Sequence, residues 1–389
     1  MNNHETQQPY TLLPERETPR RAVIDLAAIR HNYRFLEAQA KGARCIAVVK
    51  ANAYGHGAAA VAQALLTEGC DHFAVSCTEE AISLRETAKT ADILIFGSVS
   101  TEQVPLLIKH HITATVFSLP VAHRLSEAAL AAGGRLSVHI KLDTGMNRLG
   151  FPIYDEITLK GSLAELDEVY ALKGLAPTGI YSHLAEADGE DEAATRRQAN
   201  RFLSAIDALS AKGVSLGLRH LCNSAGLLRF AEELRLDAVR LGIALYGYPP
   251  DNTDGDLLPA MRLEAEITHL HTLKTGERLG YGGTYTAKED RSIATVGIGY
   301  ADGWLRAYSG AEVTVHTKAG DVKAPVAGRI CMDQCMLDVT GLPVKPGDRV
   351  TLFGETREEL QSLAARASTI PYECLCLISS RVPRKTTGE

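Results

Sequence analysis

At 389 residues the chain exceeds one small core and has room for a barrel of about 250 residues plus a second domain. Its 41 Lys and Arg against 47 Asp and Glu leave a net charge of -6 with both signs mixed along the chain, which argues against a nucleic-acid partner, since phosphate neutralisation needs a concentrated basic face. No apolar run reaches the roughly 20 residues of a membrane-spanning helix, and the polar start MNNHETQQPYTLLPERETPR lacks a signal-peptide core, so a cytoplasmic protein with no membrane partner is expected.

Residues 1–19 read as a flexible leader. RAVIDLAAIRHNYRFLEAQA then gives a short strand and a helix, with Asp25 in the N-cap position. Eight short β-like runs follow with helical stretches between them: CIAVV, HFAVSC, ILIFG, TATVFS, LSVHIKL, PTGIYSH, RHLCNS and LDAVRLG. This alternation predicts parallel pairing through βαβ units and a closed (β/α)8 barrel of TIM type over residues 20–250, with an open doubly wound sheet as the alternative. After GYPPDNTDGD the pattern changes. RLEAEITHLHTLKTGERL, SIATVGIGY, AEVTVHTKAGDVKAPVAG, CMLDVTG and GDRVTLFG alternate apolar and polar residues between glycine turns, predicting a mainly antiparallel β domain over residues 251–389. One helix interrupts it, where Thr356 and Glu359 have capping-box spacing. The eight cysteines sit mostly inside apolar runs without paired CxxC spacing, and read as reduced core thiols; no metal site is expected.

In such a barrel the reactive groups gather at the carboxyl ends of the strands. Lys50 closes the first apolar run in CIAVVKANAYGHGA, ahead of a glycine-hinged loop that lets backbone approach a ligand. A strand-terminal lysine is ordinarily just the first solvated residue. Five further positions, however, stand at or beyond predicted strand ends: Lys141 and Arg148 in IKLDTGMNRLG, His183 in YSHLA, the pair Asn223 and Ser224 in CNSAG, and Arg240 in VRLGIALYG. Singly, these are a loop cation, a core histidine or a surface arginine; together they make a cluster at one barrel mouth. Ser224 precedes a helix, so its hydroxyl and the adjacent amides suit a phosphate, although a plain Ser N-cap fits the stretch equally. Gly242 follows the eighth strand, where barrels of this type often bind phosphate. A lysine able to form a Schiff base beside a phosphate site points to pyridoxal phosphate.

Nine fragments run in order from about residue 20 to the C-terminus: AVVKANAYGHG, KLDTGMNRLG, YSHLA, NSAG, RLGIALYG, GYGGTY, GIGYADG, CMDQ and PYE. Together they resemble the bacterial alanine racemases, fold-type III enzymes that use pyridoxal 5'-phosphate. The resemblance implies interconversion of L- and D-alanine, supplying D-alanine for peptidoglycan, by a homodimer with shared active sites. By similarity, Lys50 would hold the cofactor covalently and serve as one of two bases, with Tyr281 the base on the opposite face, since inversion needs a proton removed from one side and returned on the other. A phenol needs cationic neighbours for that work, and His183 would link Tyr281 to Arg240. Arg240 would face the pyridine nitrogen, where a guanidinium donates a hydrogen bond without surrendering its proton, which favours racemisation over transamination.

Arg148 would meet the cofactor's phenolic oxygen and the substrate carboxylate, and Lys141 is often carbamylated in the family. The phosphate contacts fall to Tyr54, Ser224, Gly242, Ile243 and Tyr372, with Asn223 among the cofactor-binding residues. The backbone amide of Met332 would bind substrate carboxylate, while Tyr300 and Asp333 would form the entrance. Tyr281, Tyr300, Met332 and Asp333 would come from the partner subunit. Leu241 departs from the proline of many relatives, implying a slightly looser phosphate loop. Tyr372 favours alanine over serine, because the serine-racemase branch tends to replace it. A broader amino-acid racemase and a non-catalytic pyridoxal phosphate carrier remain the alternatives; the carrier predicts a lone barrel.

Overall fold

A computed structural model describes residues 18–250 and 256–388. Most of the expected leader lies outside the described residues, but Pro19 is already engaged, its carbonyl accepting from the amide of Glu266 at 2.8 Å. The chain divides into two units, one spanning Leu26–Leu258 and one made of Pro259–Gly388 together with the stretch ending at Asp25.

The strand β1 (Arg20–Asp25) therefore belongs with the C-terminal unit rather than with the barrel region that follows it in sequence. It pairs antiparallel with β10 (Met261–Leu273) and parallel with β16 (Arg384–Thr387). Its burial of Ala22, Val23 and Ile24 satisfies a sheet of either kind, so the stretch alone does not name its partner.

The barrel strands are β2 (Arg44–Val48), β3 (His72–Val75), β4 (Asp92–Ile95), β5 (Ile112–Val116), β6 (Leu136–Asp143), β7 (Leu175–Tyr181), β8 (Leu218–His220) and β9 (Ala238–Leu241). Each pairs in parallel with the next, and β9 pairs with β2, which closes the ring. These are the eight expected runs. They read as continuous apolar stretches because helices cover the outer face and packed side chains fill the inner one. In β2, for example, Cys45, Ile46, Ala47 and Val48 are all buried.

The second unit is mainly antiparallel. Its sheet runs β13 (Gly320–Pro325), β12 (Glu312–Thr317), β15 (Arg349–Phe353), β10, β1 and β16, with β11 (Arg291–Val296) on β10 and β14 (Cys335–Asp338) on β11. Trp304, Ile293, Leu337 and Leu352 are buried in this unit. The expected helix forms at Arg357–Arg366, and the Glu359 carboxylate accepts from the amides of Gly354 and Glu355 at 3.0 Å each. No disulfide joins any of the eight cysteines. Among the described residues no helix is long and apolar enough to cross a membrane, and no group of three or more His, Cys, Asp or Glu is arranged to hold a metal ion.

Candidate active site

Lys50 follows directly on β2 and opens an unusual turn. Ala51, Asn52, Ala53 and Tyr54 all have φ between 51° and 56°, one turn of left-handed helix built without glycine. L-residues disfavour that conformation by about 1–2 kcal/mol each, so the surroundings must impose it. Glu80 does so at the start: one carboxylate oxygen accepts from the amide of Ala51 at 2.6 Å and the other from Ser76 at 2.8 Å. At the far end the Asn52 side chain accepts from Ala58 at 2.8 Å, and the His56 ring contacts the carbonyls of Ala53 and Tyr54 through Nδ1, both at 3.0 Å. Gly55 (φ 83°) continues the left-handed path. Tyr54, now buried, packs on Tyr246 with ring centroids 4.9 Å apart, and the Tyr246 hydroxyl donates to the carbonyl of Val48.

Arg240, on β9, is 3% exposed and has no carboxylate partner among the described residues. Its Nη1 donates to His220 Nδ1 at 3.0 Å and to the His220 carbonyl; its Nη2 donates to the carbonyls of Ser182 and Leu221 and to His183 Nδ1 at 3.1 Å. Burial pulls the guanidinium down to about 10, which still leaves it charged at neutral pH. Both histidines must accept, so each is neutral with its proton on Nε2. That agrees with their titration: burial first, then Arg240, pushes His183 and His220 well below the ordinary imidazole range. Lys141, Arg148 and Lys50 also act on His183, which marks them as one cationic cluster around it. The tautomer leaves the Nε2–H of His183 as a donor.

Lys141, on β6, is 4% exposed, and its ammonium lies 4.6 Å from the centre of the Tyr181 ring. Burial, then Arg240 and Arg148, lowers it from 10.5 to about 7, so an appreciable fraction is the neutral, nucleophilic amine at neutral pH. Tyr181 is held beneath it. Thr115 donates to the carbonyl of Ile95 and so accepts from the Tyr181 hydroxyl at 3.0 Å, while burial pushes the phenol up to about 12. Arg148 sits on a loop folded around Asp143, whose carboxylate accepts from the amides of Gly145, Asn147 and Arg148.

Ser224 is the first residue of the helix Ser224–Leu234, and the N-cap is Asn223, whose side chain accepts from Gly226 at 2.9 Å. The Ser224 hydroxyl instead accepts from the amide of Gly242 at 2.9 Å, tying the helix start to the turn after β9. A Cβ on Gly242 would stand 3.5 Å from both the Ser224 and the Tyr54 hydroxyl oxygens, so the missing side chain leaves a small hollow rimmed by two hydroxyls at a helix N-terminus. Such a cradle suits a phosphate. The barrel unit thus gathers Lys50, Tyr54, Lys141, Arg148, His183, Ser224, Arg240 and Gly242, with Ile243 starting the adjoining turn. Leu241 is fully buried in its strand.

The C-terminal unit carries the other expected residues. Tyr281 stands in a short turn after Gly280 (φ 66°) and is 67% exposed; Arg278 secures the turn by donating to the carbonyls of Gly282 and Gly283. Tyr300 and Met332 lie on adjacent segments, since the amides of Tyr300 and Ala301 donate to the carbonyls of Cys331 and Met332 at 3.0 Å each. Buried Asp302 organises this corner through ion pairs to Arg20 at 2.9 Å and Arg381 at 3.5 Å, and Arg381 in turn donates to Asp333 at 2.7 Å. Tyr372 is on the short helix Pro371–Cys376.

The supporting residues Glu80, His139, Asp143, Tyr181, His220 and Asp302 were not foreseen from sequence. A signal existed for two of them: His139 and Tyr181 share strand parity with Lys141 and His183, placing each on the same face as a candidate group.

Family models match the chain across both units. The family model described as alanine racemase, N-terminal domain, matches residues 24–250, and that of the alanine racemase C-terminal domain matches residues 260–386. This chain belongs to the alanine racemase family. An alanine racemase of Desulforamulus reducens is 42% identical over 374 residues, covering 94% of this chain and 98% of that protein. Among solved structures, alanine racemase of Clostridium difficile 630 aligns with a TM-score of 0.87 at 37% identity, covering 96% of this chain and 97% of that one. The biosynthetic alanine racemase of Pseudomonas aeruginosa aligns with a TM-score of 0.81 at 35% identity, over 95% and 99% of the two chains. With both alanine racemase domains matched, the lone barrel expected of a pyridoxal phosphate carrier is not what this chain has.

Proposed function

We propose that this chain interconverts L- and D-alanine with pyridoxal 5'-phosphate as cofactor, using Lys50 and Tyr281 as bases on opposite faces of the substrate. The observation that carries the reading is the state of Arg240. Five acceptors occupy its two Nη groups, and among the described residues none is in hydrogen-bonding reach of its Nε–H. A buried, charged guanidinium with one uncommitted donor fits the pyridine nitrogen of the cofactor, and the Ser224, Tyr54 and Gly242 cradle fits its phosphate. Bound there, the cofactor would supply the conjugated electron sink that makes the α-proton of an amino acid removable.

The protein groups then have separable tasks. Lys50 would hold the cofactor covalently and exchange a proton at the α-carbon from one side; Tyr281 would do so from the other. Ile243 and Tyr372 would complete the phosphate site, with Asn223 fixing the helix start behind it. Arg148 would orient the substrate carboxylate together with the backbone amide of Met332, and Tyr300 and Asp333 would restrict entry. His183, accepting from Arg240 through Nδ1, keeps an Nε2–H that can donate to the oxygen of Tyr281 and so favour its ionised form. Because Arg240 keeps its proton, it would limit electron withdrawal through the ring nitrogen of a bound cofactor, which would favour reprotonation at the α-carbon over transamination.

Lys141 would react as its neutral amine with carbon dioxide, forming an N–C bond and releasing one proton to solvent. The resulting carbamate would be an anion beside Arg148 and Arg240, in place of a third cation. The exposure of Tyr281, Tyr300 and Met332 supports a homodimer in which they serve the partner's barrel. The biological role would be supply of D-alanine for peptidoglycan in the cytoplasm.

The test is incubation of purified chain, pyridoxal 5'-phosphate and L-alanine, with D-alanine measured by chiral chromatography and L-serine run in parallel. Turnover of alanine by the wild type and none by Lys50→Ala is expected. Normal turnover by Lys50→Ala would overturn the proposal, and equal turnover of serine would overturn its specificity.

A further inference from the structure

A second histidine stands behind Arg240 and its partner. His139, on β6 and 7% exposed, places Nδ1 at 3.0 Å from Nε2 of His220. Because Arg240 donates to Nδ1 of His220, the His220 proton is on Nε2 and must find an acceptor on the side away from the site. His139 Nδ1 is that acceptor, which puts the proton of His139 on its own Nε2. The three side chains form a directional chain of donors running from Arg240 through His220 to His139. Burial supports the neutral forms required, holding His139 down at about 3.

The surrounding fold makes room for this arrangement. His220 is clamped against Tyr181, the two rings parallel within 6° with centroids 4.7 Å apart, so it is held flat for edge contacts on both sides. At Gly179, on the neighbouring strand, a Cβ would come within 2.6 Å of His139 Nε2, and the pairing of β6 with β7 slips in register between Val138 and His139. Beyond His139 is a cavity of about 200 Å³ at the amino-terminal ends of the strands, lined also by Arg44, His72, Asp92 and Ser137. It opens at the end of the barrel opposite Lys50, so His139 is reached from the floor of the barrel and touches neither substrate nor cofactor.

We propose that His139 is a positioning residue for Arg240: by accepting the Nε2 proton of His220 it holds His220 in the one neutral tautomer that can accept from the guanidinium. This rests on the reading that Arg240 serves the cofactor's ring nitrogen. Without an acceptor at Nδ1 of residue 139, the opposite tautomer of His220 becomes available, and it sets a ring N–H against a guanidinium N–H. Arg240 then loses one of its charge-assisted hydrogen bonds and the fixed direction of its Nε–H.

The test compares His139→Leu, which keeps the bulk and removes the acceptor, with His139→Asn, whose side-chain oxygen can stand in for Nδ1, and with Gly179→Ala, which displaces the ring. Nitrogen-15 NMR of histidine-labelled full chain, with and without pyridoxal 5'-phosphate, reads the protonation of His220 Nδ1 directly. In His139→Leu and Gly179→Ala that nitrogen is expected to become protonated in part of the molecules, and in the reconstituted enzyme kcat should fall about tenfold, the loss of one such hydrogen bond, with KM for alanine within about twofold. His139→Asn should restore both readouts. An unchanged His220 tautomer in His139→Leu, or an asparagine chain as impaired as the leucine chain, would overturn the proposal. A wild type that fails to racemise alanine sinks the functional reading alone, because the NMR of cofactor-free chain still decides the tautomer.

Discussion

Replacing Lys141 with methionine should remove a buried cation, opposed by Arg240 and Arg148 and only partly offset by Asp143, at nearly constant volume. Its ammonium is lowered from 10.5 to about 7 by burial and by Arg240 and Arg148. Between those two values the unfolded chain binds the proton that the folded chain has lost, so stability contributed at this position rises with pH across the window, and the full cost is present below pH 7. Linkage puts that cost at about 4 kcal/mol at pH 7 and about 2 kcal/mol at pH 9. In carbon-dioxide-free buffer, Lys141→Met should therefore be the more stable chain at pH 7, and its advantage should shrink by about 2 kcal/mol on going to pH 9. Urea unfolding followed by far-UV circular dichroism at pH 7, 8 and 9 gives both curves, and taking their difference cancels every other titrating group. Bicarbonate adds a second arm: carbamylation would replace the buried cation by an anion that pairs with Arg148, so it should stabilise wild type and leave the methionine chain unmoved. If the two stability curves run parallel from pH 7 to 9, Lys141 carries no such cost and the account of its reactivity fails with it.

Gly242→Ala should fold normally, since its Cβ would meet only ordinary contacts at 3.5 Å, yet it would fill the hollow between the Ser224 and Tyr54 hydroxyls. Equilibrium titration with pyridoxal 5'-phosphate should show weakening of about tenfold or more while the melting temperature is kept, as expected for one lost contact to a charged group. Glu80→Ala leaves the amides of Ala51 and Ser76 without their shared acceptor, at about 1.5–3 kcal/mol per charge-assisted bond. With the left-handed turn released, borohydride trapping of cofactor on Lys50, read by peptide mass spectrometry, should fall; undiminished trapping would show that the turn holds itself. Arg240→Glu should raise the ratio of pyruvate formed to D-alanine formed, because a carboxyl at the ring nitrogen permits full protonation there.

The eight barrel strands were legible because parallel strands covered on both faces must be apolar along their length, and the helices between them announce the same period. The allegiance of Arg20–Asp25 was not, since a six-residue strand carries no mark of which sheet completes it; only the partners at Met261–Leu273 and Arg384–Thr387 decide that. The same distinction runs through the site. Lys50, Arg148 and Arg240 stand at or just beyond strand ends in distinctive fragments, where barrels of this type gather their reactive groups. Glu80 looks like any helix-surface carboxylate, and its task exists only because a left-handed turn, 29 positions earlier in the chain, presents it with an amide.

His220 and His139 are the sharper case. His139 sits inside the apolar strand β6 and His220 closes the short strand β8, where a satisfied core histidine is the ordinary reading, and that reading is not wrong: both are buried, neutral and hydrogen-bonded. What sequence pattern does not convey is direction. An imidazole can donate from either nitrogen, and the choice at His220 is imposed by Arg240 on one side and answered by His139 on the other. Among the described residues the Arg240 guanidinium has no carboxylate to fix it, so its orientation depends on neutral acceptors whose proton positions are themselves set by the next residue outward. Specifying one donor at the mouth of the barrel thus reaches back through two strands towards its floor, which is why the parts of the site that orient chemistry are written less visibly than the parts that perform it.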